Sequence, residues 1–257
     1  MKNTRFTKIL FLLFSILFSN SYLYAQYGAS NKVIVKHTDN FTVTGDGTAP
    51  NWEATTWNTI TQRDRKTLEG EGWNMGPERN VPDRSYKTLF KILYSDKGIY
   101  CLYQCEDSVI TATITEDYGA LYNEDVVEAF FRPDTSLPLY LEYELSPLNY
   151  ELPILIINKG GNSAGWKPWG THKSSSIIHA VKVNDKKAGN SRFNWTAEFF
   201  IPFTLLMPLG NVPPSPGTKW RANFYRIDYD GNPVYSSWQL TRKNYHDYER
   251  FGLLEFE

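Results

Sequence analysis

The sequence predicts an all-β protein, an antiparallel β-sandwich, on three observations. Short runs rich in β-branched and aromatic residues recur at intervals of roughly 8 to 20 residues. Gly, Pro, Asn and Asp cluster between them. Several runs alternate, so that one side reads apolar and the other polar.

Taken in order, TLFKILYS (88–95) and IYCLYQCE (99–106) flank the turn Asp96-Lys97-Gly98 and read as a hairpin. VVEAFFR (126–132) and LYLEYEL (139–145) follow as strands. The run ELPILIINKG is strand-like but is expected to break at Pro153. SIIHAVKV (176–183), FNWTAEFFIPF (193–203), WRANFYRIDYD (220–230) and the closing FGLLEFE complete the set. Only residues 203–209 read as a short helical turn, and Pro213, Pro214 and Pro216 then impose a loop. No internal repeat or linker divides the chain.

The first 25 residues read as a secretory signal peptide. Lys2, Arg5 and Lys8 form a basic start, Ile9 to Phe18 an apolar core, and Leu23 and Ala25 the −3 and −1 positions of a cleavage site. The apolar core is short for a membrane span. Residues 26–257 are then expected to form one domain. The whole chain has 27 Lys+Arg and 28 Asp+Glu. Removing three basic residues leaves 24 against 28, a charge of −4. That mild acidity offers no footprint for nucleic acid or an anionic membrane. The expected location is secreted or periplasmic.

Cys101 and Cys105 lie four apart in IYCLYQC. On a strand they share a face, with Cα atoms roughly 13 Å apart. A disulfide needs about 4.4–6.8 Å, so both thiols are expected to be free. No cofactor or metal site is expected: no compact Asp-rich loop is present.

Function is read from two segments. LYNEDVVEAFF (121–131) and NYHDYERFGLLEF (244–256) each place a tyrosine beside carboxylates, before a strand-like run. These are Tyr122 and Tyr245, both expected to be exposed. A sugar ring has an apolar C–H face that stacks on an aromatic and a hydroxyl rim that needs polar partners. Alternation in the first segment puts Val126, Glu128 and Phe130 on one face. A carboxylate between apolar side chains is costly unless paired. Glu128 is therefore either paired within the fold or lines a groove that meets ligand.

Six pieces, in order, give the chain a family likeness: DGTAPNWEATTW, LFKILYSDKGIYCLYQCEDS, LYNEDVVEAFFRPD, WTAEFFIPFTLL, KWRANFYRID and NYHDYERFGLLEF. From about Asp46 to Glu257 the chain resembles the family 9 carbohydrate-binding modules, within the DOMON-like β-sandwiches. The resemblance implies a non-catalytic protein that binds oligo- or polysaccharide and supports polysaccharide breakdown. It implies a clamp of two aromatics, which map to Tyr122, six residues before Glu128, and Tyr245, seven before Gly252. Members with strong binding carry Trp at both positions. Glu128 matches a glutamate that accepts sugar hydroxyls, and Asn223, Arg226 and Trp238 lie in matching segments. An arginine on the next strand of the family is here replaced by glutamate, read as Glu144.

Two other classes compete. A glycosidase would pair two carboxylates about 5–9.5 Å apart, with Glu124, Asp125, Glu128 and Glu144 available. A haem-binding DOMON-like redox domain would need axial Met and His. Met75 and Met207, with His37, His172, His179 and His246, form no recognisable pairing.

Overall fold

The computed structural model describes residues 31–76, 86–170, 177–184 and 191–257. The expected signal segment and His172 lie outside the described residues.

Among the described residues, thirteen strands build a β-sandwich: β1 Lys32–His37, β2 Asn58–Gln62, β3 Thr88–Tyr94, β4 Gly98–Asp107, β5 Val126–Arg132, β6 Leu139–Leu145, β7 Glu151–Lys159, β8 Asn162–Pro168, β9 Ile178–Val183, β10 Phe193–Pro202, β11 Lys219–Asp228, β12 Val234–Ser237 and β13 Gly252–Phe256. One layer runs β8-β7-β6-β5-β11 and continues to β12, while the other runs β2-β3-β4-β10-β9. The layers join where β12 pairs β2 and where β1 bridges β13 and β3. Pairing is antiparallel except at β1.

The predicted hairpin forms as expected, with Thr88 opposite Cys105 and Tyr94 opposite Ile99. Alternation then decides which side chains meet. Val127, Ala129 and Phe131 of β5 enter the core between the layers, as do Trp220, Ala222 and Phe224 of β11. Phe90 and Phe224 stack across that core at 4.0 Å. Cys101 and Cys105 are buried there and unbonded to each other. Burial pushes the Cys105 thiol up to about 12.

Two expectations are corrected, and one strand is added that the sequence did not mark. First, Pro153 does not break β7, where it opposes Tyr143 of β6. Its carbonyl accepts from Trp169 N on the other side, and the β8 ladder has just ended at Ile154. The missing N–H therefore faces no partner strand. Second, Asn162–Pro168 forms β8, although its composition is that of a loop. Pairing along β7 makes it a strand, and it is an exposed edge. Third, residues 203–209 are not the only helical stretch. A helix, α1, spans Arg65–Gly70, with the Asp64 side chain accepting from Thr67 N at its start.

The quoted opening and WTAEFFIPF segments owe their company to one buried carboxylate. Glu198 of β10 accepts from Thr44 N, Gly45 N and the Trp52 indole, at 2.8, 2.7 and 2.8 Å. Gly45 has φ +81°, and a Cβ there would stand 2.8 Å from the Ala180 carbonyl carbon, so glycine is required.

Candidate functional site

The other face of β5, β6, β7 and β11 does not enter the central core. Phe130, Tyr140, Ile154, Ile156, Tyr225 and Ile227 form a second apolar cluster there. Over it opens a cavity of about 390 Å³, within the size range of small-ligand pockets.

Four loop or edge segments wall the cavity. The short turn Leu121–Asn123 supplies Tyr122, with Leu121 buried as its anchor. The segment is held by its carboxylates: Asp125 accepts from Thr111 N and Tyr229 N, each at 2.7 Å. Glu124 accepts from Ile114 N at 2.9 Å. These two acids, candidates for hydrolytic chemistry in the sequence, serve as anchors of the turn. Tyr122 is left 44% exposed, and its carbonyl accepts from the Tyr229 hydroxyl at 3.0 Å.

The closing segment supplies Tyr245, and here the expectation of an exposed ring fails. Tyr245 is only 8% exposed. One face stacks on Tyr225 at 3.9 Å. Its hydroxyl donates to the carbonyls of Arg226 and Ser236 at 3.2 and 3.1 Å. It still lines the cavity, but as part of a packed wall.

Two tryptophans complete the aromatic lining. Trp166, on edge strand β8 opposite Ile156, is 52% exposed. Trp73 follows α1, donates its indole N–H to Thr241 O at 2.9 Å, and meets Tyr245 edge-on at 5.2 Å. Neither was foreseen as a site residue. Each stands in a polar, glycine-containing stretch, GNSAGWK and GEGWN, and a lone Trp in such company was the available signal.

The floor is acidic. Glu128 of β5 lies opposite Glu144 of β6, and Phe130 opposite Glu142, so three glutamates share one face. Glu128 and Glu142 line the cavity, whereas Glu144 is completely buried beside them. Like charges directly across a ladder repel. Burial pushes the Glu142 carboxyl up to about 8. Burial, then the neighbouring glutamates, holds Glu128 and Glu144 well above the carboxylate range. Glu142 Oε2 has no hydrogen-bond partner in the chain, and the Glu144 carboxyl, protonated by burial, lies within hydrogen-bond reach of the Glu142 carboxyl. His246 Nδ1 stands 3.7 Å from that Oε2 and 2.7 Å from the Tyr140 hydroxyl. Burial pushes His246 down to about 4, so it is neutral at pH 7.

Asn223, Arg226 and Trp238, three residues expected at the site, lie elsewhere. The buried Asn223 amide donates to the Tyr225 hydroxyl and Gln239 O, at 2.7 and 2.9 Å. Arg226 points to the opposite face of β11 and donates to Asp107 and Asp228 at 2.9 and 2.7 Å. Trp238 packs on Phe90 and Phe224 in the central core. Of the six expected residues, the cavity gathers Tyr122, Glu128 and Tyr245.

Asp107, Asp228 and Asp230 converge, with carboxylate oxygens within 4.8 Å of one another. Arg226 occupies two of them, and the Tyr86 and Ser108 hydroxyls donate to Asp230 at 2.9 and 2.7 Å. These carboxylates are held by the chain's own donors. Burial still pushes Asp107 up to about 6, against the pull of Arg226. Among the described residues, no helix is long and apolar enough to cross a membrane.

A β-sandwich with an aromatic, carboxylate-floored cavity on one sheet has the size and lining of a small-ligand site. The family profile for carbohydrate-binding family 9 matches residues 78–256, well over half of the chain, and the chain belongs to that family. An extracellular protein of Arthroderma benhamiae is 26% identical over 164 residues, 60% of this chain and 71% of that protein. Among solved structures, a Bacteroides uniformis protein put forward as carbohydrate-binding aligns with TM-score 0.60 and 17% identity, covering 88% of this chain and 99% of its own. A family 9 carbohydrate-binding module from Caldicellulosiruptor kristjanssonii in complex with cellotriose aligns with TM-score 0.59 and 14% identity, covering 88% and 93%.

Proposed function

We propose that the protein is an exported, non-catalytic carbohydrate-binding protein that holds a sugar in this cavity and supports polysaccharide breakdown. The observation that carries the reading is the pairing of exposed aromatic faces with buried acceptors. Tyr122 and Trp166 present open rings, while Glu128 and Glu142 lie at the floor. Ring faces suit the C–H side of a sugar, and carboxyl groups suit its hydroxyls. The cellotriose held by the Caldicellulosiruptor module supports a glycan ligand. Export is supported by the basic and apolar start of the chain and by the extracellular relative.

A glycan array on the protein, followed by calorimetry with the best ligand, tests the reading. Trp166→Ala is expected to weaken binding about 5- to 150-fold, as loss of one stacking face implies. Release of shorter sugars from the ligand would establish an enzyme instead. Unchanged affinity for Trp166→Ala and Tyr122→Ala together would remove the cavity from consideration.

A further inference from the structure

We propose that the cavity selects a sugar bearing a protonated amine, an amino sugar, over its neutral or acidic counterpart. The inference rests on the carbohydrate reading above and specifies its ligand class. It begins with the charge inventory of the lining. No lysine or arginine lines the cavity, among the described residues, and His246 is its sole basic side chain. His246 is engaged with the Tyr140 hydroxyl. Two glutamates, by contrast, lie at the floor.

The second observation is the state of those acids. Glu142 is 5% exposed, lines the cavity, and has an oxygen, Oε2, without a hydrogen-bond partner in the chain. An unpaired buried carboxyl oxygen is costly. Glu144 stands immediately behind, within hydrogen-bond reach of the Glu142 carboxyl. A ligand that brings several N–H donors and a positive charge satisfies this floor in a way that a hydroxyl, with one donor, does not. Burial keeps the Glu142 carboxyl protonated in the free protein, and an arriving ammonium displaces that proton to solvent and leaves an ionised pair, the stronger kind of hydrogen bond.

The third observation is the wall. Trp73, Tyr122, Trp166, Tyr229, Tyr235 and Tyr245 surround the floor with aromatic rings. Aromatic faces attract ammonium groups when water is displaced. An acidic sugar would meet buried carboxyls with no cation to offset them.

The test compares three trisaccharides with one β-1,4-linked backbone. Cellotriose has a hydroxyl at C2, the glucosamine trimer an ammonium, and the N-acetylglucosamine trimer a neutral amide. Calorimetry at pH 6.5 and low salt is expected to show the glucosamine trimer binding about tenfold or more tighter than cellotriose. Raising the salt should shrink that advantage and leave cellotriose unchanged. Glu142→Gln keeps the shape of the side chain and removes its ability to ionise against an ammonium, so it should reduce the ratio of the two affinities to less than about threefold, whatever it does to cellotriose. Circular dichroism confirms that the variant is folded. If it is not, the salt series on the unaltered protein decides alone. Equal affinity for cellotriose and the glucosamine trimer, or an advantage indifferent to salt, overturns the amine preference and leaves sugar binding standing. Failure of every glycan, on the array and in calorimetry, overturns both.

Discussion

Replacing Tyr245 and Tyr122 should produce opposite phenotypes, although both rings line one cavity. Tyr245→Ala removes a ring that is stacked on Tyr225 at 3.9 Å and edge-on to Trp73 at 5.2 Å. Truncating a buried aromatic to alanine costs about 3–5 kcal/mol. Two backbone carbonyls, of Arg226 and Ser236, also lose their shared donor. For a domain of this size, 1 kcal/mol moves the melting temperature by roughly 2–4 °C. Tyr245→Ala should therefore melt roughly 6–20 °C lower. Tyr245→Phe keeps the stack and loses only the hydroxyl bonds, about 1 kcal/mol, and should fall by roughly 2–4 °C. Tyr122, at 44% exposed, is near a surface site, where substitutions stay within about 0.5 kcal/mol. Tyr122→Ala should melt within roughly 2 °C of the parent yet lose sugar affinity. Differential scanning calorimetry and binding calorimetry on the same preparations measure both. If Tyr245→Ala melted like the parent, the packing of that ring would have been misjudged. A large loss of stability in Tyr122→Ala would show that its turn depends on the ring, contrary to the exposure.

The remaining predictions concern buried ionisable groups and the anchors of the fold. Glu142 titrates near 4.5 when unfolded and is pushed to about 8 in the fold, so the native state alone keeps that proton between these values and stability falls as pH rises through them. His246, pushed from 6.5 down to about 4, works in the opposite sense between pH 4 and 6.5, which leaves Glu142 unopposed by it from 6.5 to 8. The melting temperature should therefore drop across pH 6.5–8, at roughly 1 kcal/mol per pH unit for one proton, and Glu142→Gln should flatten that slope; a flat or rising curve in the parent would contradict the burial argument. Cys101 and Cys105 should resist a thiol reagent in the native protein and both react in denaturant without reductant; a Cys101–Cys105 bond found by mass spectrometry would refute the strand geometry. Glu198→Ala strands three donors from Thr44, Gly45 and Trp52 and should cost about 3 kcal/mol or more, at about 1–3 kcal/mol for each donor left buried and unpaired; denaturant unfolding with an unchanged midpoint would argue against that anchor.

What the sequence determined by itself is what period and propensity encode. Alternation in VVEAFFR, LYLEYEL and WRANFYRID marked strands and assigned faces, because a strand's side chains change sides at every residue. The same rule foretold that Cys101 and Cys105 cannot meet, and that Glu128 breaks an apolar face. Ordered segments with their spacing supplied the family and three lining residues, Tyr122, Glu128 and Tyr245. Tertiary structure decided the rest, because depth and direction depend on neighbours far along the chain. Tyr245 is walled in by Tyr225, Trp73 and Tyr235, contacts that no local pattern carries. Alternation puts Arg226 and Tyr225 on opposite faces of their strand, but only the fold shows that the first face meets Asp107 and the second lies beneath the cavity. Asn162–Pro168, a loop by composition, becomes an edge strand that brings Trp166 over the cavity because β7 offers a ladder to pair with. The acidic floor needed register: Glu142 and Glu144 share a face by sequence, but only the pairing of β5 with β6 sets Glu128 beside Glu144 and leaves Glu142 to face the ligand space.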